Sequence, residues 1–294
     1  MSIRFVIVIT WLLLAANACC QDMPLSDILI EGEAWELVAE GYKFTEGPAV
    51  DAAGNVFFTD VPSSKIYKIA LNGTVSPFVE ESHRTSGLIF GPSGKLYGCR
   101  RGLKQIVAYD RDGNAEVIAE DVDGNDLVVN RQGGVYFTEP STNQIWYIAP
   151  SGEKRVVDHG IEKPNGIILW PDQKTLVVAD TAGAKLWTFR IEADGTLRYK
   201  QPYYTVRLTR GQEGSGADGM TVDTLGRLYV ATYAGLQFFD TQGRISGVIL
   251  NPNDKRISNV VFGGETLDTL YITCGDRVFR RKTKATGVRF FDTR

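Results

Sequence analysis

The sequence predicts an all-β protein, a six-bladed β-propeller whose four-stranded antiparallel blades surround a central channel. Three observations point there. First, one short apolar segment recurs six times, at 55–60 (NVFFTD), 95–100 (KLYGCR), 134–139 (GVYFTE), 175–180 (TLVVAD), 227–232 (RLYVAT) and 269–274 (TLYITC). Second, the starts are offset by 40, 39, 41, 52 and 42 residues. A period of about 40 residues with about four strands per unit is the mark of a propeller blade. Third, Gly-rich turns separate the apolar runs, and no helical 3.6-residue period appears beyond the N-terminal segment. The 294 residues, 43% hydrophobic and 23% charged, suffice for one large domain of this kind.

The N-terminal segment stands apart. Residues 1–18 read as a signal peptide: Arg4 supplies the positive charge, 5–16 an apolar run too short to span a bilayer comfortably, and Ala16-Asn17-Ala18 an A-x-A-like cleavage site. Cleavage before Cys19 and export to the periplasm or the extracellular space are expected. Cys19 ends a loose lipobox, so a lipid anchor there is a second expectation. Residues 19–33 are expected as a linker and 34–294 as the propeller. No membrane span is expected in the mature chain.

The repeats follow one plan. In the first, 47–50 is an inner strand, 51–54 a turn, 55–59 the second strand, 65–70 the third, 71–73 a hairpin and 75–79 the outer strand. The second runs 87–90, 95–99, 105–109 and 115–119; the third 127–130, 134–138, 144–148 and 155–158. The fourth is longer, and its surplus includes 208–217 (LTRGQEGSGA), a polar loop at one mouth of the channel. That loop is either plain surface or a lid, since long loops at strand ends carry function. The sixth is expected to include strands at 277–281 and 288–292. The spare strand at 34–39 (AWELVA) is expected as the outermost strand of the last blade, closing the ring. Cys99 and Cys274 lie in blades two and six with blade one between them, so no bridge is expected.

Each inner strand opens with a polar residue: Glu46, Ser86, Asn125, Asn165, Asp218 and Asn259. A propeller gathers these at one end of its channel. One Asn or Asp there simply makes an Asx turn. Several together need a common partner, because two close carboxylates repel and buried polar atoms are costly when unpaired. One hard divalent cation answers both needs, with Glu46, Asn125, Asn165 and Asp218 as oxygen ligands. Neither His83 nor His159 falls in this ring, which favours Ca²⁺, with Mg²⁺, Mn²⁺ and Zn²⁺ as alternatives. With 32 basic and 35 acidic residues, a net charge of −3 and no basic run, nucleic acid is not an expected partner.

The strings Phe44-Thr45-Glu46-Gly47-Pro48, Asn125-Asp126-Leu127, Pro164-Asn165-Gly166-Ile167 and Ala217-Asp218-Gly219-Met220 resemble the gluconolactonase/senescence marker protein (regucalcin) family. Val260-Val261-Phe262-Gly263-Gly264, followed by Thr269-Leu270-Tyr271-Ile272-Thr273, resembles that family's last blade. The resemblance implies a six-bladed propeller with one divalent metal in its channel, held by Glu46, Asn125, Asn165 and Asp218. It implies hydrolysis of sugar lactones such as gluconolactone, a carboxylic ester hydrolysis; some relatives open other lactones or cleave organophosphates. Two features depart from it. Asp123 stands where some members carry a sugar-binding Arg, and the segment after Glu139-Pro140 is short.

In the implied reaction a lactone carbonyl oxygen meets the cation, a Lewis acid, and water attacks the carbonyl carbon. Asp218 is the expected catalytic residue, as base, as orienter of a metal-activated hydroxide, or as nucleophile. Arg100, Glu139, His83 and Asn259 are candidate substrate contacts, with Asp60 and Asp180 as further second-strand ends at the pocket wall. An esterase or phosphotriesterase on the same cation and a non-catalytic binding propeller are the rival readings. A monomer is expected.

Overall fold

The structure is a computed structural model that describes residues 24–290. The expected signal peptide and Cys19 lie outside the described residues. Six four-stranded antiparallel sheets follow one another round the channel. Blade one is Thr45–Val50, Val56–Asp60, Lys65–Ile69 and Val75–Val79. Blade two is Thr85–Phe90, Leu96–Arg100, Gln105–Tyr109 and Ala115–Glu120. Blade three is Leu127–Val129, Val135–Glu139, Gln144–Ile148 and Lys154–His159. Blade four is Pro164–Leu169, Thr175–Asp180, Lys185–Ile191 and Leu197–Thr205. Blade five is Met220–Val222, Leu228–Thr232, Gly235–Phe239 and Ile245–Ile249.

Blade six is built from both parts of the chain. Its strands Ile257–Gly263, Thr269–Cys274 and Arg277–Lys282 are completed by Glu36–Glu40, which pairs antiparallel with Arg277–Lys282. Arg280 clamps this joint through two bonds to Glu36, of 2.8 and 2.9 Å. The spare N-terminal strand therefore closes the ring as its position suggests.

Burial explains the strand patterns. Second strands such as Val56–Asp60 and Leu228–Thr232 are buried at every residue, because blades stack on both their faces. Outer strands such as Ala115–Glu120 are mostly exposed, which accounts for their charged residues. The core is divided among blade interfaces. Tyr229, Phe238 and Phe262 fill one between blades five and six, where Tyr229 and Phe262 meet edge to face at 5.3 Å.

Two expectations are corrected here. The described part of the expected linker is docked: Ile28 is fully buried in the core of blades five and six, and Lys284 donates its backbone N–H to Ile28 O at 2.8 Å. An isolated bridge joins Leu29 to Thr283. The expected strand at 288–292 does not form in its described part. Residues 288–290 instead cross the far end of the channel, with Val288 and Phe290 against the apolar core. Arg289 donates to the carbonyls of Ala52 and Glu265, and Gln173 reaches Phe290 O at 3.4 Å. The thiols of Cys99 and Cys274 are free and buried. Among the described residues, no helix is long and apolar enough to cross a membrane.

Candidate metal centre

The inner strands begin with a break in their pairing. Register shifts fall between Glu46 and Ala49, Thr85 and Leu88, Pro164 and Ile167, and Ile257 and Asn259. Such irregularities re-aim side chains that strict alternation would send to a sheet face. In blades three and five the ladder starts at Leu127 and Met220, so Asn125 and Asp218 lie just ahead of it. Second-strand threonines hold these entries in place. Thr138 donates to Asn165 O at 2.7 Å, and Thr181, just past its strand, to Ala217 O at 2.7 Å. Two glycines allow the close approach. A Cβ on Gly166 would lie 1.9 Å from Asp218 O, and one on Gly219 would lie 1.8 Å from the Asn259 side chain.

The side chains then meet from blade to blade. Asn125 Nδ2 donates to Asn165 Oδ1, and Asn165 Nδ2 donates to Thr181 Oγ1 at 3.1 Å. Glu46 Oε2 accepts from the Gly47 N–H at 2.8 Å and from Asn259 Nδ2 at 3.3 Å. Asp218 Oδ2 accepts from Arg256 Nη2. The guanidinium of Arg256 also lies over the Tyr233 ring, 5.4 Å from its centre.

The charges in this ring are only partly compensated, by Arg256. Burial first, then the charge of Glu46, pushes the Asp218 carboxyl well above the carboxylate range, against the pull of Arg256. Burial likewise raises Glu46, although Gly47, Asn259 and Arg256 favour its ionised form. Asp126, next to Asn125, is pushed up to about 7 by burial and by the charge of Glu46. Burial opposes the charge of Arg256, but Asp218 and Glu46 hold its pKa above the ordinary value. Beneath the ring the channel widens into an apolar cavity of about 560 Å³, with Asp126 and Asn259 in its wall beside Leu88, Val129 and Phe262.

The structure links these residues in three hydrogen-bonded groups, Asn125 with Asn165 and Thr181, Asp218 with Arg256, and Glu46 with Asn259, and the charge of Glu46 acts on Asp218 and Arg256. It gives the other candidates different surroundings. Arg100 lies along its own blade, over the Tyr109 ring at 5.5 Å and 3.5 Å from Gln105 Oε1. Glu139 spends its oxygens on the Asp123 N–H at 2.7 Å, Thr142 Oγ1 at 2.6 Å and Trp146 Nε1 at 3.0 Å. His83 is half-exposed, with Nδ1 3.5 Å from Glu81. Asp60 and Asp180 act as Glu139 does, accepting from backbone N–H groups of the segment entering their own blade, at Phe44 and Lys163. Asp123 is ion-paired with Arg101 at 3.1 Å, and both line a cleft with Val61 and Arg84. Of the loop at 208–217, residues 208–213 are exposed, while Ser215 and Gly216 are tied to Gly183 and Thr181 between blades four and five.

Sequence reasoning missed Arg256 and Asp126. Arg256 stands just before an inner strand, as Arg84 and Lys163 do, and nothing in the sequence marks it as the one whose side chain reaches the ring. Asp126 is the residue after a recognised ring position. Its carboxyl accepts from the Leu127 N–H at 2.9 Å, so it reads as a local turn.

The donor set fits a hard divalent cation in its chemistry. It offers two buried carboxylates left short of positive charge, two amides and no sulfur or imidazole. Among the described residues no group of three or more His, Cys, Asp or Glu is arranged for a metal, so the amides would complete this one. Asn125 turns its nitrogen toward Asn165, so service as an oxygen ligand requires that amide to turn over.

The chain is similar to known proteins along most of its length. The model of the SMP-30/gluconolactonase/LRE-like region matches residues 44–276. A gluconolactonase of Zymomonas mobilis is 26% identical over 292 residues, covering 86% of this chain and 82% of that protein. The lactonase drp35 of Staphylococcus aureus is 29% identical over 247 residues, covering 76% and 74%. Among solved structures, a gluconolactonase of Xanthomonas campestris superposes with a TM-score of 0.77 at 23% identity, covering 87% of this chain and 91% of that one. The calcium-binding protein regucalcin of Agrobacterium tumefaciens gives 0.75 at 18%, covering 87% and 96%. These two likenesses establish the shared propeller. With four-fifths of its length inside one family model and its ring built from the strings that announced it, the chain belongs to the SMP-30/gluconolactonase/LRE-like family.

Proposed function

We propose that this protein is a divalent-cation-dependent hydrolase that opens lactones, with a sugar lactone such as gluconolactone as the first substrate to test. The observation that carries the reading is the juxtaposition of Glu46, Asn125, Asn165 and Asp218 at one mouth of the channel, with carboxylates that burial leaves in need of positive charge. These four residues would hold the cation, with Ca²⁺ the favoured ion for an all-oxygen set. When bound, such an ion supplies Lewis-acid polarisation of the lactone carbonyl.

The chain's own groups do the rest. Glu46 is fixed by the Gly47 N–H and the Asn259 amide, so its carboxylate cannot rotate away from the ring. Asp218 has one oxygen committed to Arg256, which sets the plane of the carboxylate and leaves Oδ1 to face the reactants. In that orientation Asp218 receives or directs a proton of the attacking water. Asn259 contributes to the pocket through Glu46. Sugar lactones are also named in relatives: two similar proteins are called gluconolactonases.

The test is lactone hydrolysis by purified protein with and without chelator, alongside Asp218→Ala. The expected result is loss of activity in chelator, recovery on adding Ca²⁺, and an inactive variant with unchanged circular dichroism. Full activity in the presence of chelator would remove the cation from the reaction.

A further inference from the structure

The ring holds one positive charge of its own. Arg256 is the last residue before the inner strand Ile257–Gly263 of blade six, and its guanidinium crosses to blade five, where it bonds Asp218 Oδ2 and covers the Tyr233 ring. Its backbone is not free to follow a swinging side chain. Lys255, its neighbour, is tied through its N–H to Asn253 Oδ1 at 2.9 Å and through its carbonyl to Asn251 Nδ2 at 2.9 Å. The side chain is about one-third exposed, at 31%, so it stands at the mouth and not in the core. Asp218 at 7% is enclosed, and among the described residues it has no other ion-pair partner.

We propose that Arg256 is a positioning residue of this site and a built-in rival of the bound cation for Asp218. The inference rests on the proposed function and adds a residue and a regulation of affinity to it. The guanidinium keeps Oδ2 and thereby aims Oδ1 into the ring. Its charge stands beside any ion that Glu46 and Asp218 hold, and like charges at that range repel strongly where water is scarce. With both carboxylates ionised, as a bound cation requires, they and the guanidinium sum to −1, and a divalent ion brings the ring to +1. A ring at +1 matches the single negative charge that a lactone carbonyl develops when water adds to it. Without Arg256 the loaded ring would be neutral. Arg256 thus trades cation affinity for charge complementarity to the reacting group.

Two properties of the side chain separate in experiment. Its charge governs cation affinity, while its fork governs how Asp218 is aimed. Calorimetric titration of chelator-stripped protein with Ca²⁺ reads the first. Arg256→Met removes the charge at similar length and is expected to bind Ca²⁺ at least about tenfold more tightly, the scale of coupling between neighbouring charges at binding sites. Arg256→Lys keeps the charge and is expected to bind within about threefold of the parent, a limit set by the weaker effect of geometry on a point charge. Steady-state kinetics reads the second. Both variants are expected to lose kcat on lactone, by about tenfold or more for a misaligned catalytic group, with KM little changed. Arg256→Gln repeats the affinity measurement if the Met variant does not fold.

A merely structural Arg256 would lower thermal stability and weaken Ca²⁺ binding in every variant. If the parent binds Ca²⁺ and opens lactones while Arg256→Met and Arg256→Gln bind the ion equally or less well, the rivalry is wrong and the proposed function stands. If the parent binds none of Ca²⁺, Mg²⁺ and Mn²⁺, both fall together.

Discussion

Replacing Gly166 by alanine tests whether the ring depends on backbone contact between blades four and five. The added Cβ would sit 1.9 Å from Asp218 O and 3.1 Å from Gly219 Cα, both main-chain atoms that no rotamer change can move aside. Contacts below 3.0 Å are essentially never seen for a real Cβ, so the two strand entries must part by about 1 Å. Overpacking of that kind costs about 1–3 kcal/mol, and backbone against backbone belongs at the upper end. For a chain somewhat larger than 250 residues, about 3 kcal/mol corresponds to a Tm lower by roughly 6–12 °C or slightly less. The displaced atom is the carbonyl of Asp218 itself, and a shift of about 1 Å at a catalytic group can cost about a hundredfold in rate. The control is Gly160→Ala, where no atom lies within 4 Å and only the left-handed backbone (φ +88°) opposes the methyl, at about 1–2 kcal/mol. Differential scanning calorimetry through both transitions, and lactone hydrolysis below the lower Tm, are the assays. A Gly166→Ala protein with the parent's Tm and activity would refute the contact and with it the placement of Asp218.

Other outcomes follow from the same geometry. In chelator, Asp126→Asn is expected to gain stability over the parent as pH rises. The folded-state pKa of Asp126 is raised to about 7 from 3.8, so the parent loses stability between about pH 4 and 7 and the variant does not. The gap should approach about 4 kcal/mol by linkage of about three pKa units, and a pH-independent difference in denaturant midpoints would contradict it. Ile28→Ala should cost about 2–5 kcal/mol as a buried truncation, although Ile28 lies before the first blade. A neutral effect on urea unfolding would mean that this stretch is not docked in solution. Mass spectrometry of protein purified from an exporting host is expected to give a mature N-terminus at Cys19; a retained Met1 would end the export reading.

Much of this arrangement was legible in the sequence, for physical reasons that differ between elements. Second strands buried on both faces must be apolar throughout, so segments such as Leu228–Thr232 announce themselves and set the period. Once the period is known, the propeller topology brings Glu46, Asn125, Asn165 and Asp218 together without any local signal. Glu36–Glu40 was legible because a closed ring needs a strand from the other part of the chain. What escaped were residues whose role depends on irregular backbone. Arg256 reaches Asp218 across a blade boundary from the residue before its inner strand. Glu139 looked like a wall residue, but its oxygens serve Asp123, Thr142 and Trp146. Residues 288–290 are apolar enough to pass for a strand, yet they find their burial by lying across the channel end, where no neighbouring edge is open.

The joint between Glu36–Glu40 and Arg277–Lys282 has a consequence for how the molecule is made. Glu36–Glu40 leaves the ribosome long before its partner Arg277–Lys282, with 236 residues synthesised between them. Until then both ends of the growing array show bare strand edges, and no intermediate length of chain is a finished object. Nascent molecules that stop short of Lys282 should be recognised by proteases as unclosed, while those that pass it are locked by Glu36–Glu40.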